Sequence, residues 1–183
     1  VCPPLLNCLF IEKGFLIMSK FTEAEKVQIL EDLVAIKSVN DNEMEVCMYL
    51  KDLLSQHNID AKIVKINDTR ANLVAEIGES GPVLGISGHM DVVSEGDIKK
   101  WTYDPFKLTE VDGKLHGRGA ADMKSGLAAL VLSFIDIHDQ GLLEYGRIRL
   151  LATAGEEIVG EGAKAFQEQG YMTDVEALVI AEL

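Results

Sequence analysis

Thiols, proline and tryptophan are scarce in this sequence, which holds three cysteines, four prolines and one tryptophan among 183 residues. The cysteines are Cys2, Cys8 and Cys47, an odd number with no C-x-x-C pair among them. A disulfide framework and a thiolate zinc site are therefore not indicated. Because unpaired thiols are typical of reducing compartments, we predict a cytoplasmic protein.

Positive charge is also scarce, with 17 Lys and Arg residues against 30 Asp and Glu residues and a formal net charge of −13. A chain this acidic is a poor partner for phosphate backbones, so we predict no nucleic-acid binding. The same excess of carboxylates suits hard cations. The hydrophobic fraction of 48% is that of a globular protein with a real core.

Residues 1–17, VCPPLLNCLFIEKGFLI, differ in character from the sequence that follows them. They lack the basic segment of a secretory signal, and they are too short and too often interrupted to span a bilayer. We predict that Met18 is the natural start, that residues 1–17 are an upstream-translated leader, and that no membrane is a partner. The alternative is a loosely ordered hydrophobic arm.

Helical and strand patterns alternate along residues 18–183. Thr22 and Glu25 have capping-box spacing, and an apolar helical stripe follows them. Further helices are predicted at about 42–57, 122–139 and 160–170, and strands at 61–66, 71–77, 83–87, 147–155 and 177–183. The last strand, ALVIAEL, has the composition of a central buried strand, and residues 94–121 read as one long loop. This order predicts a layered α/β domain.

Five carboxylates and one imidazole stand at the ends of these elements: His89 and Asp91 after 83–87, Glu156 and Glu157 after 147–155, Glu182 after ALVIA, and Asp122 at the start of a helix. Functional groups of α/β sheets gather beyond the carboxyl ends of the strands. Carboxylates placed so close together raise one another's pKa, and a divalent cation removes that repulsion. This residue set suits zinc, manganese or cobalt, and one bridging carboxylate would give a paired-metal site.

Each of these residues has a simpler explanation when it is taken alone. His89 could be a loop residue, Asp122 an N-cap, and the Glu156–Glu157 pair a solvated helix start. The segment HGRGAAD (116–122) has the first two glycines of a dinucleotide loop, but Asp122 stands where the third is needed, and an acid there would repel a pyrophosphate. Only the joint pattern favours a metal site.

Five ordered motifs, SGHMDVV, WTYDPF, GKLHGRGAADMKSG, ATAGEE and VIAEL, resemble those of the acetylornithine deacetylase and succinyl-diaminopimelate desuccinylase family. That family belongs with the two-metal aminoacylase and carboxypeptidase-like metallohydrolases. The resemblance runs from about Phe21 to Leu183. It implies a layered helix–sheet–helix catalytic domain of the zinc exopeptidase type. Residues 18–183 would be its N-terminal portion, without the lid and dimerisation domain or the C-terminal part.

The resemblance assigns a role to each side chain: His89, Asp122 and Glu182 bind one metal ion, Asp122 and Glu157 bind the second, Glu156 is the general base, and Asp91 stands behind His89. The two ions are most simply Zn²⁺, with Co²⁺ or Mn²⁺ as alternatives. A late histidine that completes the second site in the family has no counterpart here. The 183-residue chain is therefore expected to be inactive alone.

The activity implied by the resemblance is removal of an N-acyl group from a small amino-acid substrate. N-succinyl-diaminopimelate is favoured over N-acetylornithine, with a role in lysine biosynthesis, and the full-length form is expected to be a homodimer. Two alternatives remain open. One is a dipeptidase or carboxypeptidase of the same superfamily, and the other is a truncated, non-catalytic fragment that binds metal or a partner.

Overall fold

The computed structural model describes residues 11–12, 15–16 and 19–182. Two short strands, β1 (Ile11–Glu12) and β2 (Phe15–Leu16), pair antiparallel with each other. Apart from this pairing, the leader predicted at residues 1–17 lies outside the described residues. No helix in the described part of the chain is both long enough and apolar enough to cross a membrane.

Helices and strands follow one another along residues 19–182. Their bounds are α1 (Glu23–Ala35), α2 (Glu43–Gln56), β3 (Ala61–Lys65), β4 (Ala71–Ile77), β5 (Val83–His89), β6 (Thr109–Val111), β7 (Lys114–His116), α3 (Ser125–Asp139), β8 (Arg147–Thr153), α4 (Glu161–Glu168) and β9 (Val175–Ile180). A short 3-10 turn covers Ile98–Lys100, and an irregular turn covers Ala120–Lys124.

Five strands form one mixed sheet in the order β3-β4-β8-β5-β9. Strand β4 is antiparallel to both of its neighbours, β3 and β8. Strands β8, β5 and β9 run parallel to one another. Because parallel strands end on the same side, the carboxyl ends of β8, β5 and β9 share one edge of the sheet.

Alternate strand residues face two different helical layers. On one face, Leu73 and Leu150 belong to a buried core shared with α1, α2 and α3. On the other face, Val74 and Leu151 pack with Phe166 of α4. The layered helix–sheet–helix fold predicted from the sequence is therefore confirmed.

The helix boundaries agree with the sequence at α1 and differ at α3. Thr22 and Glu25 form the predicted capping box, in which the Glu25 N–H donates to Thr22 Oγ1 (3.3 Å) and the Thr22 N–H donates to Glu25 Oε2 (2.7 Å). Helix α3 begins at Ser125 and not at Asp122, because Asp122 and Met123 have non-helical backbone angles. The interpretation of Asp122 as an N-cap is wrong.

Two further predictions differ from the structure. The loop predicted at 94–121 contains the β6–β7 hairpin, which turns at Asp112 and Gly113, both with positive φ. Strand β9 was expected to be buried, but Leu178, Val179 and Ile180 are 43%, 47% and 54% exposed. The reason is its place at the edge of the sheet, where β5 is its only neighbour among the described residues.

The buried Cys47 thiol of α2 predicts a pH dependence of stability. It lies 3.3 Å from the carbonyl oxygen of Ala71, and burial, aided by the Glu43 charge, raises the pKa of the Cys47 thiol to about 12. A thiol of the unfolded chain ionises near pH 8.5, so above about pH 9 the unfolded state binds fewer protons than the folded state. We expect the unfolding free energy to fall there by up to about 1.4 kcal/mol per pH unit, relative to Cys47→Ala. Urea unfolding at several pH values measures this, and parallel curves for the two proteins would contradict it.

Candidate metal centre

Four segments meet at the edge of the sheet where the parallel strands end. His89 is the last residue of β5 and pairs with Thr153, the last residue of β8. Beyond β8 the chain turns through Glu156 and Glu157, and beyond β9 it reaches Glu182. The irregular turn 120–124 supplies Asp122. The structure thus brings together the carboxylates and the imidazole that the sequence placed at element ends.

His89 is the buried centre of this cluster, with only 1% of its surface exposed. Its Nδ1 lies 2.9 Å from the backbone carbonyl oxygen of Asp91, which can only accept, so Nδ1 carries a proton. The other nitrogen, Nε2, faces Asp122 Oδ1 at 3.1 Å and Glu182 Oε1 at 3.7 Å. In the neutral ring Nε2 is an acceptor facing acceptors, so the arrangement calls for a cation between them or a second proton on the ring.

Three of these residues have the geometry of a metal site. His89, Asp122 and Glu182 each offer one ligand atom, and the three atoms lie within 4.8 Å of one another. An imidazole with two carboxylates is a donor set that zinc, cobalt and manganese accept. The histidine is held rigidly by its bond to a backbone carbonyl, whereas the two carboxylates are largely exposed. The residues present therefore fit a divalent cation.

Glu156 and Glu157 complete the acidic rim of the cluster. Glu156 Oε2 lies 3.9 Å from His89 Nε2. Partial burial, together with the charges of Asp122, Glu156 and Asp91, raises the pKa of the Glu157 carboxyl, and only His89 opposes this shift. Carboxylates that raise one another's pKa in this way are stabilised by a bound cation.

Asp91 lies behind His89, and its carboxylate bonds the backbone of the turn that follows β8. Its carboxylate Oδ1 is 3.7 Å from His89 Nδ1, and the closer partner of the ring is the Asp91 backbone carbonyl. The carboxylate is fully buried and accepts from the backbone N–H groups of Glu156 (3.1 Å) and Glu157 (3.0 Å). One residue therefore fixes both the ring of the histidine and the turn that carries the two glutamates.

Three buried polar residues beside this turn were missed by the sequence analysis: Glu43, Arg70 and Asn72. Glu43 resembles an ordinary acid in the first turn of a helix, a place where acids complement the helix dipole. Arg70 and Asn72 lie at the start of β4. Two polar residues at the start of an apolar strand were the one signal in the sequence that points to them.

The fold thus places a histidine and carboxylates with the donor set of a metal site at the carboxyl ends of parallel strands. The chain belongs to peptidase family M20/M25/M40, whose sequence pattern matches residues 85–182.

Among curated relatives, a protein of Staphylococcus epidermidis named probable succinyl-diaminopimelate desuccinylase is 56% identical over 165 residues, which cover 90% of this chain and 41% of the relative. The succinyl-diaminopimelate desuccinylase of Wolbachia pipientis is 34% identical over 145 residues, covering 79% of this chain and 36% of the relative. The chain thus spans about two fifths of the length of these relatives.

Solved structures show the same fold. The M20 family metallo-carboxypeptidase Sso-CP2 of Sulfolobus solfataricus superimposes with a TM-score of 0.73 at 23% identity, covering 86% of this chain and 37% of that structure. Human carnosine dipeptidase 1 gives a TM-score of 0.69 at 25% identity, covering 86% of this chain and 38% of that structure.

Proposed function

We propose that this chain supplies the metal-binding half of an amide hydrolase that removes the succinyl group from N-succinyl-diaminopimelate. The observation that carries this proposal is the convergence of His89 Nε2 with Asp122 and Glu182 within 4.8 Å, at the carboxyl edge of an M20-type sheet. The substrate class is supported by the names of relatives at 56% and 34% identity. Removal of an acetyl group from N-acetylornithine is the second candidate of the same type.

We assign the residues of the centre to two ions. His89, Asp122 and Glu182 would hold the first ion, and Asp122 and Glu157 would hold the second. Zn²⁺ is the proposed metal, with Co²⁺ and Mn²⁺ as functional substitutes. When bound, such a pair of ions lowers the pKa of a water molecule and polarises the amide carbonyl.

Glu156 is the proposed general base. Its carboxylate is half exposed and lies beside His89, where it can reach an incoming water molecule. It accepts a proton from that water as the oxygen adds to the amide carbon, and it returns the proton to the nitrogen as the C–N bond breaks. The products are succinate and the free amine. Asp91 takes part by fixing Glu156 and His89 at the same time.

A chimera tests this proposal. Residues 19–182 replace the aligned segment of the Staphylococcus epidermidis relative, and release of succinate from N-succinyl-diaminopimelate is measured with Zn²⁺ or Co²⁺. We expect kcat/KM within about tenfold of the unmodified relative, a loss below about 1.4 kcal/mol of transition-state stabilisation. The same chimera with Glu156→Gln is expected to keep its metal and to lose more than about 100-fold in kcat.

The other candidates predict different results from the same experiment. Faster hydrolysis of dipeptides than in the unmodified relative would favour a peptidase, as in the human dipeptidase of the same fold. A folded chimera that binds metal but hydrolyses nothing would favour a non-catalytic fragment. Hydrolysis by the 183-residue chain alone would contradict the expectation that it needs a further ligand for the second ion.

Gly126 offers a test of the place of Glu182. It lies in the first turn of α3, where a Cβ would overlap the backbone oxygen of Ala181. We expect Gly126→Ala to displace Glu182 and to weaken Co²⁺ binding by about tenfold, although alanine is the better helix former. Ser133→Ala, at an exposed position of the same helix, is the control. Isothermal titration with Co²⁺ measures the affinities, and equal values for both variants would contradict the expectation that this close packing holds Glu182 at the cluster.

We also propose that the longer protein works in the cytoplasm, in lysine biosynthesis, as a homodimer. The motifs shared with the desuccinylase family support this assignment, as does the desuccinylase name of its relatives. Size-exclusion chromatography with light scattering on the chimera tests whether residues 19–182 are compatible with such a dimer.

A further inference from the structure

Four successive backbone N–H groups of the turn after β8 donate to side-chain oxygens. Ala154 donates to Asn72 Oδ1 (3.0 Å), and Gly155 donates to Glu43 Oε1 (3.1 Å). The next two, Glu156 and Glu157, donate to the two oxygens of Asp91. We call these three acceptors, Asn72, Glu43 and Asp91, the amide ladder.

The acceptors of the amide ladder are fully buried, and they come from three separate parts of the fold. Asn72 belongs to β4, Glu43 begins α2, and Asp91 follows β5. Two of them are fixed by a further bond. Asn72 Nδ2 donates to the carbonyl of Gly162 (2.8 Å), while Arg70 donates to both Glu43 oxygens, with Nη2 to Oε1 at 2.8 Å and Nε to Oε2 at 3.1 Å.

Two glycines show how tightly the turn is enclosed. A Cβ on Gly155, which has φ of +70°, would overlap the guanidinium of Arg70. A Cβ on Gly162 would overlap Asn72 Oδ1 and the backbone of Ala154. The amide ladder and the turn can approach this closely only because both positions lack a side chain.

A turn that merely connected β8 to α4 would not require this arrangement. Backbone N–H groups of surface turns are ordinarily satisfied by water, whereas burial of a Glu–Arg pair costs desolvation free energy that its attraction barely offsets. Buried polar groups that fix a segment from several sides are typical of sites that need pre-organised geometry. The segment fixed here carries Glu156 and Glu157.

We propose that Glu43 and Asn72, with Arg70 acting through Glu43, are positioning residues that set Glu156 and Glu157 against the metal centre. This inference rests on the proposed function, because it gives the two glutamates their roles there. None of the three positioning residues belongs to the His89, Asp122 and Glu182 cluster. Asp91 holds the next two N–H groups of the same turn.

The test separates the hydrogen-bond acceptor from the buried ion pair. Glu43→Leu/Arg70→Leu removes the acceptor of Gly155 without leaving an unpaired charge, and Glu43→Gln keeps an acceptor oxygen. Asn72→Leu is the second ladder variant, should the first fail to fold. Glu76→Gln is the matched control, since Glu76 also lies on β4 and pairs with arginines but bonds none of the four amides.

Amide hydrogen exchange on the 183-residue chain gives the first readout. In the ladder variants we expect protection at residues 154–157 to fall by roughly tenfold, with the amides of β5 unchanged. Glu43→Gln and Glu76→Gln are expected to keep wild-type protection at this turn. Unchanged protection at residues 154–157 in both ladder variants would overturn the proposal.

Co²⁺ affinity of the same chain gives the second readout. Removal of residues that orient metal ligands from outside typically lowers the metal affinity 10–100-fold. We expect the ladder variants to lose Co²⁺ affinity in that range. In a Glu157→Gln background the ladder variants should cause no further loss, because their effect passes through that carboxylate. Two results would overturn the positioning role and leave the proposed function intact. One is an undiminished loss of Co²⁺ affinity in the Glu157→Gln background, and the other is wild-type affinity in the ladder variants. Wild-type affinity in both His89→Ala and Glu157→Gln would instead contradict the proposed function.

Discussion

Replacement of His89 by alanine is expected to lower the affinity for Co²⁺ by more than about 100-fold, beyond the 10–100-fold range typical of outer residues. His89 supplies the single nitrogen of the His89, Asp122 and Glu182 cluster, and its Nε2 is already oriented by the bond from Nδ1 to the Asp91 carbonyl. Without it, two largely exposed carboxylates remain, and such a pair binds divalent ions weakly in water. Isothermal titration at neutral pH measures both affinities.

His138→Ala is the control for this experiment. That ring lies at the end of α3, beside Asp139, and has no contact with the cluster. The expected result is wild-type Co²⁺ affinity. Equal Co²⁺ affinities in His89→Ala and His138→Ala would mean that surface carboxylates bind the ion and that the cluster does not.

Glu43→Leu is expected to lower the free energy of unfolding by about 3–5 kcal/mol. The Glu43 side chain is fully buried, and that of Arg70 is only 9% exposed. Removal of the carboxylate leaves the largely buried guanidinium without its bidentate partner, and the more exposed Glu161 and Asp41 replace it poorly. It also leaves the Gly155 N–H without an acceptor. Urea unfolding followed by circular dichroism measures the change.

Two further variants distinguish an unpaired charge from simple loss of packing. Glu43→Leu/Arg70→Leu should recover most of the lost stability, because no buried charge is left unpaired. Glu76→Leu, which breaks a more exposed pair with Arg147 and Arg149, should cost about 1 kcal/mol or less. If the double variant were as unstable as the single one, the loss would come from the cavity or from the unsatisfied Gly155 N–H, and not from the unpaired charge.

Local patterns were enough to predict much of this architecture. The spacing of Thr22 and Glu25 predicts a capping box because that motif is completed within one helical turn. The apolar run before His89 predicts a buried strand, and strand β5 includes the histidine itself. Once the strands are taken as parallel, the meeting of His89 with Glu182 at one edge follows from topology.

Contacts between distant segments could not be predicted in the same way. The amide ladder joins Glu43 to Gly155 across 112 positions, and no periodicity in the sequence records such a pair. The exposure of β9 could not be predicted for a related reason. The apolar sequence of a strand is the same whether or not a neighbouring strand covers it. The sequence predicts helix from Asp122 because Met123 lies four positions before Leu127 and continues the apolar pattern of α3.

The ligand atoms of the cluster come from residues 89, 122 and 182, which a disordered chain cannot hold together. An ion that binds this cluster therefore binds the native state and hardly binds the denatured one. Binding of the ion is therefore coupled to folding. A free ion concentration one hundred times Kd raises the unfolding free energy by about 2.7 kcal/mol. The melting temperature of the chain should therefore rise with the concentration of free metal, and a chelator should return it to the value of the metal-free chain.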